Sequence, residues 1–182
     1  MQRKQFLLAT LSATPLFALS PLFAKENGTK KHFVVVGGKS RFKETTKLGP
    51  NTNDIKVSKK DTGNQLSIFE YTGYEKSGPP LHLHFSQDEI FQVTEGSYRF
   101  VVGEEQMQLN VGDTIFLPRN IPHTWLQLTD RGKLTYMVQP AGTMEEFFRK
   151  MSALTKPPTP DEAQKIHLAH GMKVVGPPPS LR

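Results

Sequence analysis

The chain contains no cysteine. That excludes disulfides, thiolate catalysis, a lipoprotein-type thioether anchor, and zinc or iron–sulfur sites built on sulfur. No phosphate-binding glycine loop, helix-turn-helix pattern or internal repeat can be traced. Excess charge is also modest. The formal net charge is +6, and removing residues 1–24 takes away Arg3 and Lys4 and no acid, which leaves +4. A mildly basic balance of this kind needs no nucleic-acid partner. At 182 residues the chain suits one well-buried domain and is short for two. Glycine and proline are each present 14 times, which suits a chain of many strands and turns.

Long hydrophobic runs are missing too. Phe6–Leu19 is only moderately apolar, and Pro15 with interspersed Ser and Thr argues against a transmembrane anchor. With the basic opening Met1–Gln5 and Ala24 as last residue before cleavage, residues 1–24 read as an export signal, although Leu22 is larger than usual at the −3 position. Arg3-Lys4-Gln5-Phe6-Leu7 also resembles a twin-arginine signal with Lys in the second basic position, so both export routes stay open. The expectation is a periplasmic or secreted protein, free of the membrane after cleavage, whose Lys25, Lys30 and Lys31 belong to a solvated terminus.

The mature chain divides into an N-terminal segment with short strands (25–60), a barrel (61–140), and C-terminal helices with a tail (141–182). Phe33–Val36 is a β-prone run, residues 41–54 read as loop, and Ile55–Val57 and Leu66–Tyr71 read as strands. Evenly spaced strands follow at His82–Phe85, Ile90–Thr94, Tyr98–Val102, Met107–Asn110, Thr114–Leu117, Thr124–Leu128 and Lys133–Gln139, as a barrel or sandwich requires. Thr143 and Glu146 read as a capping box opening a helix with an apolar stripe of Phe147, Phe148 and Met151. Thr159-Pro160-Asp161-Glu162 starts a second helix that runs to about His170. Met172–Val175 reads as an edge strand. This C-terminal part would cover the barrel or join a homodimer.

Four residues carry the chemistry. His82 and His84 are two apart on a strand and point to one side. A short turn returns the chain at Glu89, expected on the neighbouring strand, and His123 comes from a distant segment. Three neutral imidazoles and one carboxylate suit a divalent transition metal such as Fe, Mn, Ni, Cu or Zn. By strand parity Phe91 and Val93 share the face of Glu89, and Trp125 and Gln127 share that of His123. Phe91, Trp125 and Gln127 are therefore candidate substrate-pocket residues, with barrel-core packing the simpler account for Phe91 and Val93. His167 and His170, three apart on the second helix, read as ordinary surface or hydrogen-bonding histidines, and His32 has no assigned role.

The two segments resemble the paired motifs of the cupin superfamily, G-x5-H-x-H-x3,4-E-x6-G and G-x5-P-x-G-x2-H-x3-N. His82, His84, Glu89 and Gly96 match the first; the opening glycine falls at Lys76, flanked by Gly73 and Gly78. Gly112, Pro118 and His123 match the second, with Asn120 in place of the glycine and Gln127 in place of the asparagine. Asn is among the non-glycine residues most tolerant of positive φ, so the turn at position 120 can survive. The resemblance spans about residues 60 to 150. It implies an all-β double-stranded β-helix, a jelly-roll barrel, holding a divalent metal on His82, His84, Glu89 and His123.

Within that superfamily, Pro79-Pro80-Leu81-His82-Leu83-His84, Pro118–His123 and Gln139-Pro140-Ala141-Gly142 leading into Glu145-Glu146-Phe147-Phe148 resemble small relatives of quercetin 2,3-dioxygenase. The resemblance implies a metal-dependent dioxygenase in which a small enol substrate binds through oxygen and Glu89 takes its proton. Glu89 as purely a ligand stays open beside Glu89 as general base. A non-redox sugar isomerase, epimerase or lyase, and a binding module without turnover, are the alternatives.

Overall fold

Side-chain alternation along short strands sorts the described chain, residues 31–181 of a computed structural model, into two facing antiparallel sheets. The export segment read over residues 1–24 lies outside the described residues. In chain order the elements are β1 (Thr45–Leu48), β2 (Asn51–Val57), α1 (Lys59–Thr62), β3 (Ser67–Gly73), β4 (His82–His84), β5 (Asp88–Glu95), β6 (Ser97–Val102), β7 (Glu105–Asn110), β8 (Thr114–Leu117), β9 (His123–Gln127), β10 (Gly132–Gln139), α2 (Met144–Ser152), α3 (Pro160–Ala169) and β11 (Met172–Val174). One sheet has the order β1-β2-β3-β10-β5-β8, the other β11-β4-β9-β6-β7. The architecture is the expected all-β jelly roll with helices at its C-terminal end.

The core lies between the sheets. On β5, Glu89, Phe91 and Val93 are buried while Gln92 and Thr94 are exposed, a period of two. Phe91 stacks on Tyr136 with ring centroids 4.7 Å apart, and Tyr136 stacks on Phe69 at 5.1 Å. Phe148 of α2 closes the row edge-on to Phe69 at 5.2 Å. Each such ring removed from water contributes about 1.5–3 kcal/mol, with somewhat more for well-placed aromatic pairs.

Several local expectations are corrected. Residues 41–54 are not all loop: β1 pairs with β2 from Thr45↔Asp54 to Leu48↔Asn51, extending the sheet past β3. Backbone pairing satisfies this polar stretch where hydrophobic periodicity gave no signal. Phe33–Val36 forms no strand; Val34 is 86% exposed and the Phe33 ring packs instead against the Arg41 guanidinium, 3.9 Å from its centroid. At α2 the Thr143 side chain makes no cap hydrogen bond, its backbone lying at φ −115°, ψ 24° and not in the extended conformation of a cap, and the Glu146 carboxylate pairs with Lys59 Nζ, 2.6 Å distant. The box at Thr159 and Glu162 does form, with both reciprocal bonds in place.

What anchors α2 is its neighbour Glu145. This carboxylate is 1% exposed and accepts from Ser58 Oγ (3.0 Å), Lys59 N (2.6 Å) and Ser67 Oγ (2.8 Å). It ties the start of α2 to the loop and short helix between β2 and β3. Removing it would leave three donors unpaired in the interior. Glu145→Ala should therefore lower unfolding free energy by about 2–4 kcal/mol in urea titration; a loss under about 1 kcal/mol would show that water replaces the carboxylate.

Candidate metal centre

Two strands of the same sheet present the histidines. His82 of β4 lies directly opposite His123 of β9, and His84 follows two residues later on the same face. Glu89 arrives differently from expectation. Its strand β5 pairs with β10 and β8 in the other sheet, so the carboxylate reaches the histidines across the interior, not from the strand beside them. One ligand atom from each of His82, His84, Glu89 and His123 lies within 4.8 Å of all the others. Glu89 Oε2 is 3.1 Å from His123 Nε2 and 3.5 Å from His84 Nε2.

The ring orientations follow from what holds the opposite nitrogens. His82 Nδ1 is 2.8 Å from the Pro80 carbonyl, and His123 Nδ1 is 3.0 Å from that of Ile121. A carbonyl can only accept, so each Nδ1 carries a proton and the lone pair of the neutral ring sits on Nε2, facing the cluster. His84 Nδ1 lies 3.3 Å from Gln87 Oε1. The Gln87 amide cannot easily turn over, since its Nε2 donates to the Pro140 (3.1 Å) and Ala141 (2.8 Å) carbonyls. Gly142, at φ +54, leaves room for this amide; a Cβ there would stand 2.7 Å from Gln87 Nε2. The stretch Gln139-Pro140-Ala141-Gly142 thus acts on the centre through Gln87.

His84 Nε2 is buried with no hydrogen-bond partner among the described residues, a cost that a bound ion would remove. Charge states also suit a metal. Burial, with His123 and His84 alongside, pushes the His82 imidazole down to about 3, so it stays neutral. Burial works against ionising Glu89; positive charge on the neighbouring His84, His123 and His82 rings and a hydrogen bond from His123 outweigh it and hold the carboxyl down at about 2, a role that a bound divalent ion would take over with the rings neutral. Neutral imidazoles and an ionised carboxylate are the forms that ligate. The four residues fit a divalent ion.

Beside the cluster opens a cavity of about 340 Å³. His82, Glu89 and His123 form one wall; Phe91, Trp125, Tyr71, Tyr136, Phe147 and Phe148 give most of the rest, with Met144, Met151 and Met172. Phe91 and Trp125 therefore stand where parity placed them. Gln127 does not reach the cavity. Its amide accepts from Tyr98 Oη (3.2 Å) and donates to the Thr129 carbonyl (2.9 Å) and, at 3.4 Å, to that of Gly73. The partner required by a buried amide is the barrel's own turn backbone. Asn120 takes positive φ, 63°, as its tolerance for that region allows, and its N–H donates to the His84 carbonyl at 2.8 Å.

His167, read from the sequence as an ordinary histidine, is 5% exposed and lines this cavity, its ring centroid 6.2 Å from that of His82. Burial holds its imidazole below the usual value. Nothing in helical spacing signals this, because it depends on where α3 packs.

Fold and donor set together define a small jelly roll with a buried four-residue group that could hold a metal ion. Residues 69–139 match the family model described as Cupin domain, and the barrel has the jelly-roll fold of cupin structures. Solved structures with the same fold include KdgF from Halomonas sp. (16% identity, 60% of this chain and 94% of that one, TM-score 0.52). A predicted oxalate decarboxylase from Thermotoga maritima is similar (14% identity, 59% and 98% covered, TM-score 0.53). A curated relative, an uncharacterised protein of Methanocaldococcus jannaschii, is 35% identical over 43 residues, 24% of this chain; the match spans about a third (34%) of that protein.

Two amides separate support of the metal from support of the fold. Gln87→Leu should weaken zinc affinity by about 10–100-fold in chelator competition, the usual cost of losing a partner behind a ligand. Gln127→Leu should lower stability and leave zinc affinity within about threefold; the reverse pattern would exchange the two roles.

Proposed function

We propose that the chain is an exported metal-dependent dioxygenase acting on an enol or phenolic small molecule, as its resemblance to quercetin 2,3-dioxygenase suggests. The observation that carries this reading is the character of the cavity. Its walls away from the cluster are mainly aromatic rings and thioethers, and among the described residues neither Lys nor Arg lines it. A flat, mostly apolar molecule with an ionisable oxygen suits such a space. A sugar carries hydroxyls on every side and would leave many unpaired there, and a phosphorylated sugar or small dicarboxylate would lack a cationic partner.

A divalent ion on His82, His84, Glu89 and His123 would supply Lewis-acid stabilisation of an enolate or phenolate oxygen and a place for dioxygen to meet it. The residues of the chain do the rest. Only one carboxylate belongs to the donor set, so with a divalent ion the wall carries net positive charge and favours an anionic oxygen over a neutral one. Glu89, ionised and bordering the cavity, is the acceptor for the substrate's hydroxyl proton. Phe91 and Trp125 line the cavity and supply apolar ring surface that would pack against a planar substrate and shield it from water.

A second reading, a non-redox isomerase, epimerase or lyase, draws on one polar corner of the same cavity. There Asn51 Nδ2 donates to Glu75 Oε1 at 3.3 Å and Ser77 Oγ donates to the same oxygen at 3.1 Å. That corner could take the hydroxyls of a sugar or the outer hydroxyls of a polyphenol.

Oxygen uptake decides between the readings. With the flavonol quercetin as probe, Fe-, Mn-, Ni- and Cu-loaded protein should consume dioxygen with at least one metal, and rigorous anaerobiosis should stop substrate loss. Conversion of a substrate without oxygen would favour the second reading. Glu89→Ala should reduce turnover by at least about 10²-fold at matched metal content, whereas His82→Ala should lower metal occupancy itself. Full activity of the Glu89 variant at matched metal would remove Glu89 as the base.

A further inference from the structure

His167 stands at the cavity with a free acceptor. Its Nδ1 is 2.7 Å from the Ala163 carbonyl, one turn earlier in α3. The carbonyl can only accept, so Nδ1 is protonated and Nε2 carries the lone pair of the neutral ring. Nε2 has no hydrogen-bond partner among the described residues, and it is not one of the four groups that converge as ligands. The ring is set edge-on to Phe147, centroids 4.9 Å apart, and edge-on to His82 at 6.2 Å. Because Nδ1 is turned to the helix backbone and the residue lines the cavity, Nε2, on the opposite side of the ring, is the atom open to a bound molecule.

The placement of His167 is built into the C-terminal segment. Val174 N donates to Gln164 Oε1 of α3 at 2.9 Å, and β11 pairs with β4 so that Met172 lies opposite His84 and Val174 opposite His82. The segment that covers the edge of the ligand strand therefore also carries His167 to the metal wall. It falls outside residues 69–139, the part shared with the family model.

We propose that His167 Nε2 accepts a hydrogen bond from a hydroxyl of the bound enol or phenol, next to the oxygen directed at the metal wall, and so determines which hydroxylation pattern the cavity takes. This inference rests on the enol or phenol reading of the site. It assigns specificity to a residue contributed by α3, beyond the barrel.

The test uses the zinc-loaded protein, where turnover does not intrude, with quercetin and its monomethyl ethers as probes. The chain has a single tryptophan, Trp125, and it lines the cavity, so quenching of its emission reports binding. The wild-type protein should bind at least one ether about tenfold more weakly than quercetin, since that ether has lost the donated hydrogen. In His167→Phe, which keeps a ring against Phe147 but no acceptor, quercetin and that ether should bind within about threefold of each other, with zinc still at one ion per chain. His167→Gln, which restores an acceptor, should recover part of the preference. An unchanged preference in the Phe variant would overturn the assignment alone, as would loss of zinc from it. Failure of the wild-type protein to bind any of these flavonols would overturn it together with the enol reading. Should the Phe variant not fold, ¹⁵N resonances of the wild-type imidazoles carry the test: the His167 Nε2 signal should shift with quercetin, and an unmoved signal would overturn the assignment.

Discussion

Everything at this site depends on which way three imidazole rings face. A histidine ring has two nitrogens, and a cluster of three could meet in many arrangements. Here each Nδ1 is held by an oxygen that accepts, from the Pro80 and Ile121 backbone and from the Gln87 amide. The three Nε2 lone pairs are thereby left to one small volume, where Glu89 adds the only carboxylate of the set. The arrangement costs free energy without a ligand, because His84 Nε2 is buried without a partner.

Much of the surrounding structure serves that constraint from a distance. The turn after β10 supplies the two carbonyls that orient Gln87. Glu145, fixed by Ser58, Lys59 and Ser67, ties down α2, and α2 brings Phe147 and Phe148 over the aromatic row. The result is a polar donor cluster on one side of an otherwise mostly apolar cavity. In that low-polarity setting an ion–oxygen contact would be stronger than in water, and the proposed enol or phenol reading draws on this.

What could be read from the sequence was whatever depends on local geometry. Strand parity puts His82 and His84 on one face regardless of the rest of the fold, and the same parity places Phe91 and Trp125 at the cavity. Asn120 was legible because few non-glycine residues accept a φ of 63°. Parity failed to separate Gln127 from Trp125, since both point inward and only the tertiary positions of Tyr98, Gly73 and Thr129 decide that the amide is used by the barrel. Glu89 was expected beside β4 because a short turn usually returns a chain to its neighbour; the jelly-roll connection instead carries β5 to the opposite sheet. His167 was beyond reach for the same reason, as its approach depends on β11 docking against β4.

The most direct measurement is an anomalous difference map from crystals of the protein loaded with one equivalent of zinc. The account predicts one peak per chain, about 2.0–2.2 Å from the Nε2 atoms of His82, His84 and His123 and from a Glu89 oxygen, with each Nδ1 still on its oxygen partner. A peak bound through any Nδ1, or one centred away from these four residues, would contradict it.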